Sequence, residues 1–302
     1  MNKIEAFSPA HITGLFVTEN NHVDLKLIGS KGAGVSLTLG VYTTVWTKKS
    51  SRRKKKIYIN NKPAKAKVSS TLIEEFFKLI QEPYEIIVNH KVEVPIGAGY
   101  GTSGAGALSL ALALNESLNA GLSKIEAAQL AHIAEIKCKT GLGTVLAETF
   151  GGIELRDKAG APGVGSVRKI ADVDSKFKVV SFYLNKLPTK NFLTNPNFCR
   201  KINIVGSKFF RKLVEKPSVN SFLNLSRKFA DSLNMYTPKL KNLLKMLDDY
   251  GLNFTMNMFG EAVFSLIKEE ELQDFLKKTS FWKNFGQIII SGIDSTGARL
   301  VG

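Results

Sequence analysis

VPIGAGYGTSGAGALSLALAL, residues 94–114, places five glycines between Gly97 and Gly106 and then runs into small apolar residues. Glycines at this density leave backbone N–H groups free to converge on an anion, with no Cβ in the way. A helix is expected from about residue 103 to 119, directly after them. Its unpaired N–H groups and positive dipole end would face the same anion. Thr102 and Ser103 add hydroxyls at that point. Gly99-Tyr-Gly101-Thr-Ser-Gly104 also matches GxGxxG, but a dinucleotide site needs a second strand after the helix. Here Ser123 opens a second helix instead, with Glu126 completing a capping box. The P-loop pattern GxxxxGK[ST] lacks its lysine. A tight turn that lets a helix pack closely and a phosphate cradle of another kind both remain open.

The rest of the 302-residue chain bounds the context. Its 44% hydrophobic content suits one large or two ordinary domains with a sizeable core. The longest apolar run, Ala105–Leu114, is too short to span a membrane, and the N-terminus MNKIEAFSPAHITG has no secretory pattern. A soluble, cytoplasmic protein with no membrane partner is expected. Cys138, Cys199 and four scattered histidines show no metal-ligand spacing, so reduced thiols and no zinc are expected. The net charge of +16 favours anionic partners. Part of it lies in KKSSRRKKK, 48–56, which reads as a β-hairpin tip between two alternating stretches. Few aromatics stand near it, so nucleic-acid binding has little support.

Along the chain, 4–17, 23–29 and 34–47 read as β-rich, and 71–80 as a helix with Leu72, Phe76 and Leu79 on one face. Residues 84–95 read as a strand, TGLGTV as a loop and GGIELR as a strand. Arg156–Ser166 has junction-like composition, giving expected domains 1–160 and 161–302. The second half reads as a strand at 176–184, helices near 199–213, 218–233 and 238–250, a turn in 254–267, a helix from 271 and a final strand at 285–294. Irregular interleaving of strands and helices argues for two α+β domains.

Pro95-Ile-Gly-Ala-Gly99-Tyr-Gly101-Thr-Ser103-Gly-Ala105 resembles PxxxGxGSSAA, the second motif of the GHMP kinases. Within that superfamily the chain resembles the archaeal pantoate kinases at FSPAHIT (7–13), GSKGAGVSL (29–37), GYGTSGAGAL (99–108), AHIAEIKCKTGLGTV (131–145), GGIELR (151–156) and IDSTGAR (293–299). The resemblance implies a two-domain GHMP kinase fold. Its N-terminal domain would resemble ribosomal protein S5 domain 2, and its C-terminal domain would be ferredoxin-like. It implies ATP and Mg²⁺, and phosphoryl transfer to pantoate on the way to coenzyme A. Such transfer is mostly positioning and charge neutralisation.

By the same resemblance, Pro95, Gly97, Gly99, Gly101, Thr102, Ser103 and Gly104 hold the triphosphate, while Ser103 and Glu135 hold the metal. Substrate candidates are His11 and Thr13, a second glycine-rich turn of Ser30, Lys31, Gly32 and Gly34, and the more distant Arg156 and Lys190. One departure stands out. The family pattern GLGDV carries a carboxylate where this chain has Thr144, which cannot act as a base at neutral pH. The kinase would then run without a base, or use Glu148 one helical turn on, or have changed its activity or acceptor, with homoserine or mevalonate as alternatives. A third motif is altered to Asn257-Met-Phe-Gly-Glu-Ala262. An ATP-binding regulator and a basic nucleic-acid binder are the non-catalytic alternatives. The resemblance also implies a homodimer.

Overall fold

The computed structural model describes residues 2–170, 174–187, 196–279 and 286–302. Two long strands, β1 (Asn2–Glu19) and β2 (Gly29–Lys49), pair antiparallel along almost their whole length. They form the spine of an eight-stranded sheet. β3 (Lys54–Ile59), β4 (Lys62–Pro63) and β5 (Tyr84–Val92) extend it on the β2 side, in the order β1-β2-β5-β3-β4. β6 (Ile153–Lys158) pairs with the first half of β2, and β7 (Ser166–Lys169) pairs with β6.

This arrangement corrects several readings. The run 48–56 is no hairpin tip, because β5 inserts between β2 and β3, and β3 runs parallel to β5. The basic segment crosses the end of β5 and is partly neutralised there. Lys49, Lys55 and Lys56 pair with Glu82, Glu74 and Glu85, and Arg53 Nη2 donates to the Ile80 carbonyl. Residues 23–28 form a turn rather than a strand, and Asp24 Oδ1 accepts from the Lys26 N–H. The expected second glycine-rich turn is the interior of β2. Gly32 pairs with Phe16 on one side and Arg156 on the other, so its peptide groups belong to the sheet. The stretch 156–166 connects β6 to β7 within this same sheet.

Four helices follow from the pattern of apolar residues: α1 (Lys67–Leu79), α2 (Thr102–Ser117), α3 (Lys124–Cys138) and α4 (Thr144–Phe150). α4 begins at Thr144, inside TGLGTV, whose glycines by themselves indicate a loop. Burial of α1 falls on Leu72, Ile73, Phe76 and Phe77. Leu79 shares their face by spacing but is 51% exposed, because the helix ends there, beyond the core. α2 is buried from Gly104 to Leu114, as expected for a helix apolar on all sides. α3 is capped as predicted: Ser123 Oγ accepts from the Glu126 N–H, and the Glu126 carboxylate accepts from Ser123.

The second half is built on a four-stranded antiparallel sheet of β8 (Phe177–Asn185), β9 (Thr255–Met256), β10 (Glu261–Lys268) and β11 (Gln287–Ser291). The spatial order β11-β8-β10-β9, with helices α5 (Pro196–Glu215), α6 (Val219–Leu233) and α7 (Pro238–Asp249) in the first crossover and α8 (Leu272–Lys278) in the second, is the split βαβ order of a ferredoxin-like unit. β11 is not the last strand: β12 (Arg299–Val301) returns to pair with β1. Together the sheets and helices give an α+β architecture with a ferredoxin-like second unit, as the resemblance implies. The halves interlock, since one core cluster runs from Ile12, Leu15 and Phe16 of β1 to Phe222 and Phe229 of α6 and Phe254 and Phe264 near β10. Among the described residues, no helix is long and apolar enough to cross a membrane.

Candidate active site

The connection from β5 to α2 carries the glycine loop. Gly97, Gly99 and Gly101 all have left-handed φ, from 63° to 79°. Gly101 is the N-cap of α2 and offers no side chain to the helix start. The N–H groups of Thr102, Ser103 and Gly104 lie in the first turn, where a helix has no partners to offer them. At Gly101 a β-carbon would lie 2.7 Å from both Glu148 Oε1 and the Thr144 methyl, so glycine is required on space as well as on φ.

Two other segments close on this loop. β1 is irregular between Pro9 and His11 and again between Thr13 and Leu15. Such bulges re-aim side chains next to sites. The His11 N–H donates to the Tyr100 carbonyl, and the Thr13 carbonyl accepts from Met258. The altered third motif thus sits against the glycine loop, and Met258 and Phe259 line the same cavity of about 270 Å³.

One wall of that cavity holds the metal candidates. Ser103 Oγ donates to Glu135 Oε1 at 2.5 Å, and Thr140 Oγ1 donates to the same oxygen at 2.7 Å. Glu135 is buried, and burial pushes its carboxyl above the ordinary range while the two hydroxyls pull it back. The Thr144 hydroxyl lies on this side: a β-carbon at Gly141 would be 2.3 Å from Glu135 Oε2 and 3.6 Å from Thr144 Oγ1. Hard oxygen donors already sharing one point, with room for phosphate oxygens beside them, fit a magnesium ion.

His11 and Arg156 line the same cavity and belong to a buried charged group. His11 Nε2 lies 2.8 Å from Glu154 Oε1, and the Arg156 guanidinium donates to that same oxygen. Burial pulls the Arg156 value down while Glu154 holds it up. Arg156 Nε has no partner among the described residues. It lies beside Ser30 Oγ, the two flanking Gly143, whose β-carbon would come within 2.9 Å and 2.3 Å of them. Gly34 leaves the space that the His11 ring fills.

The cavity therefore gathers Ser103, Glu135 and Thr144; Gly97, Gly99, Gly101, Thr102 and Gly104; and His11, Thr13, Ser30 and Arg156. Pro95, Gly32 and Gly34 stand outside its lining, and Lys190 lies outside the described residues. Glu148 is not in the lining either. Its carboxyl is wedged behind Gly101 and Gly104, fully buried, with neither oxygen partnered among the described residues. Burial raises its pKa well above the carboxylate range, and Glu135 and Glu154 add repulsion. Sequence reading missed Glu154, Thr140 and Lys139. Glu154 had a signal: it alternates with Arg156 along a short strand, so two opposite charges share one face.

Residues 66–152 match the model of the GHMP kinases N terminal domain, the segment carrying the glycine loop, Glu135 and Thr144. The pantoate kinase of Methanocaldococcus jannaschii is 34% identical over 271 residues, 89% of this chain and 95% of that protein. The pantoate kinase of Thermococcus kodakarensis is also 34% identical, over 89% of each chain. A solved structure described as a phosphotransferase related to the CoA biosynthesis pathway superposes with a TM-score of 0.88 at 30% identity, covering 99% of both chains. Such agreement along nearly the whole length, with the glycine loop and the Ser103–Glu135 pair in place, means that the chain belongs to the pantoate kinase family of the GHMP kinases.

Proposed function

We propose that this protein transfers the γ-phosphoryl group of ATP to the primary hydroxyl of pantoate. One observation carries the reading: the Ser103–Glu135 pair at the start of α2 opens onto the same cavity as the buried Arg156 and Ser30. The loop N–H groups of Gly99, Gly101, Thr102 and Ser103 would hold the triphosphate. Ser103 and Glu135 would hold Mg²⁺, which when bound neutralises charge on the phosphate oxygens.

Arg156 Nε and Ser30 Oγ offer a carboxylate two donors, and Glu154 fixes the guanidinium from behind. His11 and Thr13 stand nearby for the acceptor's hydroxyls. Glu148, behind the glycines, does not reach the cavity, which supports transfer without a carboxylate base in contact with the acceptor. Positioning and charge neutralisation then supply the rate.

The test is an ADP-release assay with Mg²⁺ over pantoate, homoserine, mevalonate and shikimate. Release that depends on pantoate above the other three is the expected result. Preference for another acceptor would refute the pantoate assignment. Bound ATP with no release on any of them would favour the regulator.

A further inference from the structure

A triphosphate carries about four negative charges, and the glycine loop contains no lysine to meet them. The charged side chains lining the cavity are Glu135, Lys139 and Arg156. Arg156 is buried and committed to Glu154. Lys139 is different: its ammonium has no partner among the described residues, while its neighbour Lys137 is bonded to Glu75 at 2.7 Å.

The backbone at Lys139 is unusual too. It is the C-cap of α3 with φ of 58°, the left-handed conformation that glycine or asparagine normally takes at this position. Its N–H donates to the carbonyls of Glu135 and Ile136, a task that any residue with that φ performs. A lysine kept where glycine is preferred calls for a reason in its side chain. Attraction to the helix C-terminus is not enough, because Lys137 already supplies a cation in the last turn. The left-handed turn also brings Thr140 round to Glu135 Oε1, and Lys139 itself lines the same cavity as the Ser103–Glu135 pair.

We propose that Lys139 binds the β- and γ-phosphates of ATP and neutralises the charge that builds on the transferred group. The proposal rests on the kinase reading above and gives the missing P-loop lysine a counterpart from another element. Lys139 is then a catalytic residue whose strained backbone is tolerated for function.

The test uses Lys139→Gly, Lys139→Asn and Lys139→Arg in the full chain. Titrations of ATP and AMP are compared, with pantoate-dependent ADP release and the thermal midpoint of unfolding. The glycine variant relieves the left-handed strain, so its midpoint should stay level or rise. Its ATP affinity should fall by about tenfold or more with AMP affinity unchanged, and kcat should fall by about 10²-fold, the scale for one lost donor to transition-state charge. Asparagine should behave likewise, and arginine should recover part of both.

ATP affinity and turnover within twofold of the wild type in the glycine variant would overturn the proposal. So would an equal loss for ATP and AMP, because no phosphate contact beyond the first would then be involved. A wild type that binds ATP but never turns over pantoate would instead overturn the kinase reading, and the ATP-against-AMP comparison would still judge Lys139.

Discussion

Replacing Glu148 by glutamine should change how the protein's stability depends on pH, and the size of the change follows from the site. The carboxyl is fully buried behind Gly101 and Gly104, and neither oxygen has a partner among the described residues. Burial, then repulsion from Glu135 and Glu154, raises its folded pKa well above the ordinary range. In the unfolded chain it titrates near pH 4.3. Between that value and the folded pKa, the folded protein keeps a proton that the unfolded chain releases. Rising pH therefore draws the equilibrium toward the unfolded chain, by about 1.4 kcal/mol per pH unit.

Glutamine has nearly the same shape and does not titrate. The stability difference, wild type minus Glu148→Gln, should thus fall by about 1.4 kcal/mol per unit above roughly pH 4.3. It should level off where folded Glu148 itself ionises. The raised carboxyl of Glu135 is present in both proteins and largely cancels. Urea unfolding of both at pH 5, 6 and 7, with matching m-values, reads this difference directly. Parallel curves at all three values would refute the claim that an unpartnered, proton-holding carboxyl lies behind the glycine loop.

Further predictions concern the loop and the acceptor side. Gly101→Ala should destabilise by about 2–5 kcal/mol, from left-handed strain and a β-carbon crowding Glu148 and Thr144, seen as a drop of several degrees in thermal midpoint. An unchanged midpoint would contradict the loop geometry. Arg156→Lys removes a fork held by Glu154, so KM for the acceptor should rise by about tenfold or more while KM for ATP holds. A loss confined to ATP would place Arg156 on the wrong substrate. Thr144→Asp should raise pantoate-dependent ADP release by less than the 10²–10⁴-fold typical of a general base. A gain of that full size would mean that the natural chain lacks a base it needs.

The sequence made the glycine loop and its helix legible because left-handed glycines and an N-terminus act locally. The same holds for the Ser123–Glu126 cap. Ser103 and Glu135 are 32 residues apart, and no spacing rule joins them. They met in advance only through the family resemblance.

Strand partners were harder. Alternation marked the strands flanking 48–56 but not that β5 would take the edge of β2, because pairing is decided by burial across the whole sheet. The glycines of 29–34 read as a turn. In the fold Gly34 is a clearance for the His11 ring inside a strand. Glu154 escaped notice because its partner His11 lies 143 residues away.

The central claim is that a phosphoryl group passes from ATP to pantoate at the Ser103–Glu135 pair. Mass spectrometry of pantoate incubated with ATP, Mg²⁺ and the protein tests it most directly. Pantoate carrying one added phosphoryl group is expected with the wild type, and a yield reduced by about 10²-fold with Ser103→Ala. Unmodified pantoate after ATP has been consumed, or equal product from the Ser103→Ala protein, would contradict it.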